Sequence, residues 1–234
     1  MGHELKIFDT PQLAAEACGR AILDAAVTGR QARGLAALAF SGGSTPKIMF
    51  EWMAKQPFDW TNVHIFWVDE RCVPPDDQQS NYRMTRLALL DTLGLPETQV
   101  HRIAGEIEPA TAAAQYAEEI TRIIPDAVFD VIQRGMGNDG HTASLFPGEP
   151  AVNDLSGITA ALWVEKMKQY RVTLKRNVLE KARLTLNLVT GADKASPLLH
   201  VLQGPRDLLS YPAQISSPEM IWYLDPAAAE SLHD

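Results

Sequence analysis

The chain has 234 residues, 46% hydrophobic and 21% charged, enough to bury one large core or two small ones. Its formal net charge of −8 excludes the basic stripe that nucleic acid or an anionic membrane surface requires, yet allows a small anionic ligand held by a few local cations. No apolar run approaches the roughly 18 residues of a spanning helix, the N-terminus lacks the layout of a signal peptide, and Cys18 and Cys72 form neither a CxxC pair nor a disulfide framework. The expectation is a cytoplasmic protein, a monomer or small homo-oligomer, with no nucleic-acid or membrane partner.

Leu5 to Phe8 reads as a short strand. Thr10 then caps a helix with Pro11 in its first turn, and Gly29 closes it. Cys18 falls on this helix as a structural residue. Leu35 to Phe40 is an apolar strand running into Ser41-Gly42-Gly43-Ser44-Thr45-Pro46, and Lys47 to Lys55 is a helix with Pro46 at its first position. A second strand, Val63 to Val68, ends in Asp69-Glu70-Arg71, and after a proline-bearing loop Ser80 caps a helix that stops at Gly94-Leu95-Pro96. Val100 to Ile103 is strand-like, and Thr111 to Ile124 is a helix stopped by Pro125.

The central strand, Val128 to Ile132, breaks into Gly135, Gly137 and Gly140. Further strands follow at Ile158 to Val164, at Arg171 to Leu174 and at Leu184 to Val189, with a short helix at Asn177 to Ala182. Ala192 to Leu202 is helical with Pro197 forcing a kink or two pieces; Glu219 to Leu224 is the last strand and Pro226 to Leu232 a terminal helix. Apolar strands without polar alternation, separated by amphipathic helices, predict an α/β fold: a Rossmann-like, mostly parallel sheet with helices on both faces. Residues 1–234 read as a single α/β domain with at most a small lobe.

Ligands of open parallel sheets bind outside the carboxyl ends of the strands. Three polar clusters (Ser41 to Thr45, Asp69 to Arg71, Gly135 to Ser144) follow strands directly, so they are expected to line one crevice. In the first, Gly42, Gly43, Ser44 and Thr45 present backbone N–H groups, hydroxyls and a helix N-terminus to an anion; the plainer alternative is a turn that caps the helix, and no Gly-Lys-Ser/Thr follows to make it a Walker loop. Arg71 fits a phosphate or an oxyanion and equally a surface ion pair. Cys72 has no base beside it. Arg171, leading its strand, and Lys194, opening a helix after Leu184 to Val189, are further crevice cations or solvated charges.

Gly135-Met136-Gly137-Asn138-Asp139-Gly140 satisfies GxGxxG, with Glu165 roughly where a ribose-binding acid would be sought. Pro147-Gly148 arrive too soon for the long helix that a dinucleotide site needs, so the reading is discounted. Asp139 and His141 stand two apart, the spacing at which a carboxylate orients an imidazole. A neutral imidazole accepts a proton near pH 7, which makes His141 the candidate general base. His3, His64, His101, His200 and His233 are read as structural or solvated, and none has a metal-binding spacing such as HExxH, so no metal is expected.

In order along the chain, Ser41-Gly42-Gly43-Ser44-Thr45-Pro46, Phe66 to Pro74, Ser80-Asn81-Tyr82, Gly135 to Gly148 and Gly191 to Ala195 resemble the motifs of the 6-phosphogluconolactonases of the pentose phosphate pathway. The resemblance implies the fold of glucosamine-6-phosphate deaminases and ribose-5-phosphate isomerases. It implies cofactor-free hydrolysis of 6-phospho-D-glucono-1,5-lactone, with His141 as the water-activating base and Arg71, Lys194 and Arg171 as phosphate or substrate ligands; joined to the reading of the residues themselves, the expected catalytic set is His141, Asp139 and Arg71. Gly42, Gly43, Ser44, Thr45, Asp69, Asn138, Arg171 and Lys194 would bind the phosphosugar lactone. Two departures stand out: Gln133-Arg134 replaces apolar residues before Gly135, and Lys168-Gln169-Tyr170 replaces a proline-bearing approach to Arg171. The rival readings are a deaminase-type sugar-phosphate isomerase, disfavoured by Thr142 to Phe146 after His141, and a non-catalytic sugar-phosphate sensor, which has no need of a base.

Overall fold

The computed structural model describes residues 4–233. The strands are β1 (Glu4–Ile7), β2 (Ala36–Phe40), β3 (Val63–Trp67), β4 (Asp69–Arg71), β5 (Val100–His101), β6 (Val131–Arg134), β7 (Thr159–Val164), β8 (Gln169–Leu174), β9 (Leu184–Val189) and β10 (Met220–Leu224). The helices are α1 (Pro11–Arg33), α2 (Ser44–Met53), α3 (Asn81–Thr85), α4 (Asp91–Leu93), α5 (Pro109–Ile123), α6 (Arg176–Leu179), α7 (Ala195–Gln203) and α8 (Pro226–Ala229). A seven-stranded sheet of order β1-β10-β9-β6-β2-β3-β5 is parallel throughout. A second, three-stranded sheet, β4-β8-β7, is antiparallel.

Both faces of the large sheet are covered, as its apolar strands require. Along β10 the side chains alternate between two cores. Ile221 and Tyr223 pack in the cluster that contains α1, while Met220, Trp222 and Leu224 pack with Leu198 and Val201 of α7. The predicted Ala192–Leu202 helix does divide, into a short turn at Ala192–Lys194 and α7, with Pro197 in the first turn of α7, where its missing N–H costs nothing.

Among the boundaries that differ from expectation, those of α1, α2 and β6 matter most. Helix α1 runs past Gly29 to Arg33 and ends at Gly34, which takes a left-handed φ of 80°. Gly29 is instead a close-packing position, since a Cβ there would lie 3.0 Å from Asp130 and 3.1 Å from Ala36. Helix α2 begins at Ser44 rather than Lys47, so Ser44 and Thr45 are its first turn rather than part of a loop. The central strand β6 lies three residues late, because Ala127 turns the chain at a φ of 51° and the pairing with β9 continues to Arg134↔Asn187. Gln133 and Arg134, the first of the two departures, are therefore buried sheet residues. Burial lowers the Arg134 guanidinium to about 10, and its Nε donates to Asn187 Oδ1 at 2.8 Å.

The order of the strands locates a crevice. From β2 the chain moves to β3 on one side, whereas from β6 it moves to β9 on the other. The carboxyl ends of β2 and β6 therefore form a topological switch point, where the loops on either side diverge and leave a cleft.

Candidate active site

A crevice of about 140 Å³ opens at that switch point, lined by Ser41 and Gly42 after β2, Asp69 and Arg71 of β4, the Gly135–Ala143 turn and Arg171 of β8. All three polar clusters thus meet. The small sheet contributes as much as the large one: β4 and β8 pair with Arg71 opposite Arg171, placing two guanidinium groups side by side. Asp69 lies 3.8 Å from Arg171 and also accepts from Ser144 Oγ at 2.6 Å. The Nε atoms of Arg71 and Arg171 are buried without a partner among the described residues. Burial lowers the Arg171 guanidinium from its ordinary value and Arg71 adds to that, while Asp69 opposes it. The net result is an underneutralised cationic wall suited to an anion.

Gly42 must be glycine because Asn81 occupies the space a Cβ would take. Asn81 is itself fixed from below by Glu70. That buried carboxylate accepts N–H bonds from Arg71, Asn81 and Tyr82, each at 2.8 Å, and a bond from Ser80 Oγ at 3.0 Å. Burial raises the Glu70 carboxyl above the ordinary value and these four donors pull it back. Glu70 therefore joins β4 to the N-terminus of α3 and does not face the crevice.

The His141 turn is built by its glycines. Gly137 N donates to His141 O at 2.9 Å, Gly140 takes a φ of 81°, and the imidazole lies where a Gly137 Cβ would be. His141 Nδ1 is 2.5 Å from Asp139 Oδ1, and the ring stacks on Phe146 at 4.1 Å between centroids. This leaves Nε2 as the ring nitrogen without a hydrogen-bond partner among the described residues. Partial burial pushes the Asp139 carboxyl up, but bonds from His141 and from Lys166 Nζ at 2.7 Å outweigh it and hold the carboxyl well below its usual range. Asp139 is consequently a charged acceptor that keeps the Nδ1 proton in place.

Other expected residues lie further out. Asn138, Gly43 and Ser44 are exposed. Thr45 Oγ1 shares a 2.7 Å bond with Thr190 Oγ1, which ties the start of α2 to the turn carrying Lys194. Lys194 does not line the crevice; it pairs with Asp193 at 2.8 Å, because its turn follows β9, one strand beyond β6. Burial and the nearby Glu70 push the Cys72 thiol up to about 11, which opposes a thiolate role. Glu165 bonds Trp163 Nε1 and Lys168, and no helix follows Gly140, so the dinucleotide pattern has no structural counterpart. His200 stacks on Tyr211 and His233 N bonds Gln203, while His3 lies outside the described residues.

Sequence reasoning did not single out Ser41 or Lys166. The first stood in the glycine-serine motif; the second sits in the turn between β7 and β8 and carried no local signal.

Residues 9–222 match the model of the glucosamine-6-phosphate isomerases/6-phosphogluconolactonase family. A 6-phosphogluconolactonase of Haemophilus influenzae is 40% identical over 202 residues, covering 83% of this chain and 87% of its own. Among solved structures, the crystal structure of a devB protein is 37% identical, with a TM-score of 0.88 over 99% of this chain and 100% of that one. A monomeric glucosamine-6-phosphate deaminase superposes with a TM-score of 0.85 over 98% of this chain and 100% of its own, at 14% identity; that likeness is one of fold.

Proposed function

This chain belongs to the family of glucosamine-6-phosphate isomerases and 6-phosphogluconolactonases, and on that premise we infer that it hydrolyses 6-phospho-D-glucono-1,5-lactone to 6-phospho-D-gluconate, the lactone-opening step of the oxidative pentose phosphate pathway. The observation that carries the mechanism is His141, with Nδ1 bound to Asp139 and Nε2 without a partner among the described residues, beside a cationic wall. The two sheets act as one catalytic unit, since β4 and β8 supply the arginines and the turn after β6 supplies the base.

Nε2 of His141 takes a proton from water as the water oxygen attacks the lactone carbonyl. Charge develops on the carbonyl oxygen, and Arg71 and Arg171 supply the positive field that stabilises it. As the bond from the carbonyl carbon to the ring oxygen breaks, protonated His141 returns its proton to that oxygen. Asp139 stays ionised throughout and compensates the imidazolium. Asp69 holds Arg171 and shapes the turn through Ser144. The phosphate end lies toward Gly42, Gly43, Ser44 and Thr45, with Asn138 and Lys194 at the rim, where the first turn of α2 presents its free N–H groups.

A lactone is an activated ester, so a modest apparatus suffices. A positioned base supplies on the order of 10²–10⁴-fold and a good oxyanion donor on the order of 10²–10³-fold. The test is proton release on freshly generated lactone, corrected for spontaneous opening, with ammonia release from glucosamine 6-phosphate as the contrasting assay. Catalysed proton release alone is expected; ammonia release would instead support the deaminase. Among the described residues no helix is long and apolar enough to cross a membrane, and a cytoplasmic location suits a diffusible phosphosugar substrate.

A further inference from the structure

The Asp139 carboxylate has two oxygens and partners from two distant parts of the chain. Oδ1 receives His141, two residues away, and Oδ2 receives the Lys166 ammonium at 2.7 Å from the turn between β7 and β8. That turn is tightly specified: Glu165–Met167 make one short helical turn and Lys168 closes it at a φ of 50°, which re-aims the chain into β8. Three residues further on, β8 carries Arg171 into the crevice. The hairpin therefore touches the site at two points, with Arg171 at the cationic wall and Lys166 behind the base.

We propose that Lys166 is a positioning residue for lactone hydrolysis, fixing the plane of the Asp139 carboxylate so that His141 presents Nε2 at the right angle. The proposal rests on the reading of His141 as the base. A carboxylate held at one oxygen can rotate about its Cβ–Cγ bond; held at both it cannot, and the imidazole that follows Oδ1 is fixed with it. The ammonium also draws charge from the carboxylate, so Asp139 stabilises an imidazolium less than it would alone.

The other charged groups facing this array are accounted for. Glu149 and Glu165 line the small cavity behind Asp139, and Glu165 is paired with Lys168. Arg171 lies over the Phe146 ring, which also stacks on His141, while Arg71 and Asp69 line the same crevice. None of these groups is within hydrogen-bonding reach of Oδ2. Lys166 is more than half exposed, so its replacement leaves the core intact.

The test uses the full chain with Lys166→Met, Lys166→Gln and Lys166→Arg, the last preserving the charge. Without the charge, kcat is expected to fall about 3- to 10-fold with little change in KM, and the acid limb of the kcat/KM profile to move about half a unit toward higher pH. Lys166→Arg should restore both. The His141 Nδ1 proton, followed by NMR, should move or broaden in Lys166→Met and stay in place in Lys166→Arg. Unchanged kcat and acid limb in Lys166→Met, or a raised KM at constant kcat, would overturn the proposal; the latter would make Lys166 a substrate ligand. If the wild-type chain opened no lactone, the base assignment would fail, whereas the NMR comparison would still judge Lys166 by itself.

Discussion

Two imidazole–carboxylate–cation arrays occupy this molecule, one beside the central strand β6 and one at the sheet edge on β5. At the edge, His101 Nδ1 lies 2.6 Å from Glu119, which Arg122 holds at 2.5 Å. In the crevice, His141 Nδ1 lies 2.5 Å from Asp139, which Lys166 holds at 2.7 Å. The hydrogen bonding is nearly the same, yet the second nitrogens differ. His101 Nε2 is used by His64 Nδ1 at 2.8 Å and its side chain is 1% exposed, whereas the His141 side chain is 25% exposed and its Nε2 has no partner among the described residues. An oriented imidazole becomes a base only when its outer nitrogen reaches a cavity. Position in the sheet supplies that condition.

The contrast is broken most severely by His141→Gln, expected to lower kcat by about 10²–10⁴-fold while 6-phosphogluconate binding, read by calorimetry, changes little. Arg171→Gln comes next, with a loss of about 10²-fold or more in kcat/KM and a lower unfolding midpoint, because Asp69 keeps its burial and loses its cation. Gly137→Ala should cost about 10-fold or more in kcat by displacing the ring that its Cβ would meet; steady-state kinetics beside a native circular dichroism spectrum checks it. His101→Phe should spare activity, with unaltered kcat and a loss of about 1–2 kcal/mol in denaturant unfolding from the broken buried hydrogen bonds.

The smallest effect is one of pH. Burial lowers both His64 and His101 from their ordinary value of 6.5, so the unfolded chain binds protons more readily than the folded one below that point. Their contribution to stability is complete above about pH 6.5 and is lost as pH falls through the region beneath it. Asp139 is also lowered, from 3.8, so its contribution persists to more acid conditions and is lost only on falling below that value. Acid titration of the unfolding midpoint should therefore show the edge array failing first, and His101→Phe should reduce that early loss.

The fold was readable because its signals are local and repeated. The apolar run Leu35 to Phe40 reads as a buried strand, and Thr10 and Ser80 act on their own neighbours through caps. The adjacency of Asp139 and His141 was readable for the same reason, being carried by two residues and three glycines in one turn. Boundaries failed where a distant side chain overrode the local signal: Asp130 and Ala36 crowd Gly29, so that glycine packs within a helix instead of ending it.

The chain by itself determined the alternation of strands and helices, the glycine turn after β2 and the oriented imidazole after β6, because each depends on spacing within a few residues. Tertiary structure alone decided that Arg171 faces Arg71 across an antiparallel pair, that Asn81 fills the space over Gly42, that Lys166 reaches Asp139 from a hairpin 27 residues away, and that Lys194 stops at the rim. Those contacts join segments with no common periodicity, and a charge on a hairpin tip has the same sequence signature whether it meets solvent or a carboxylate.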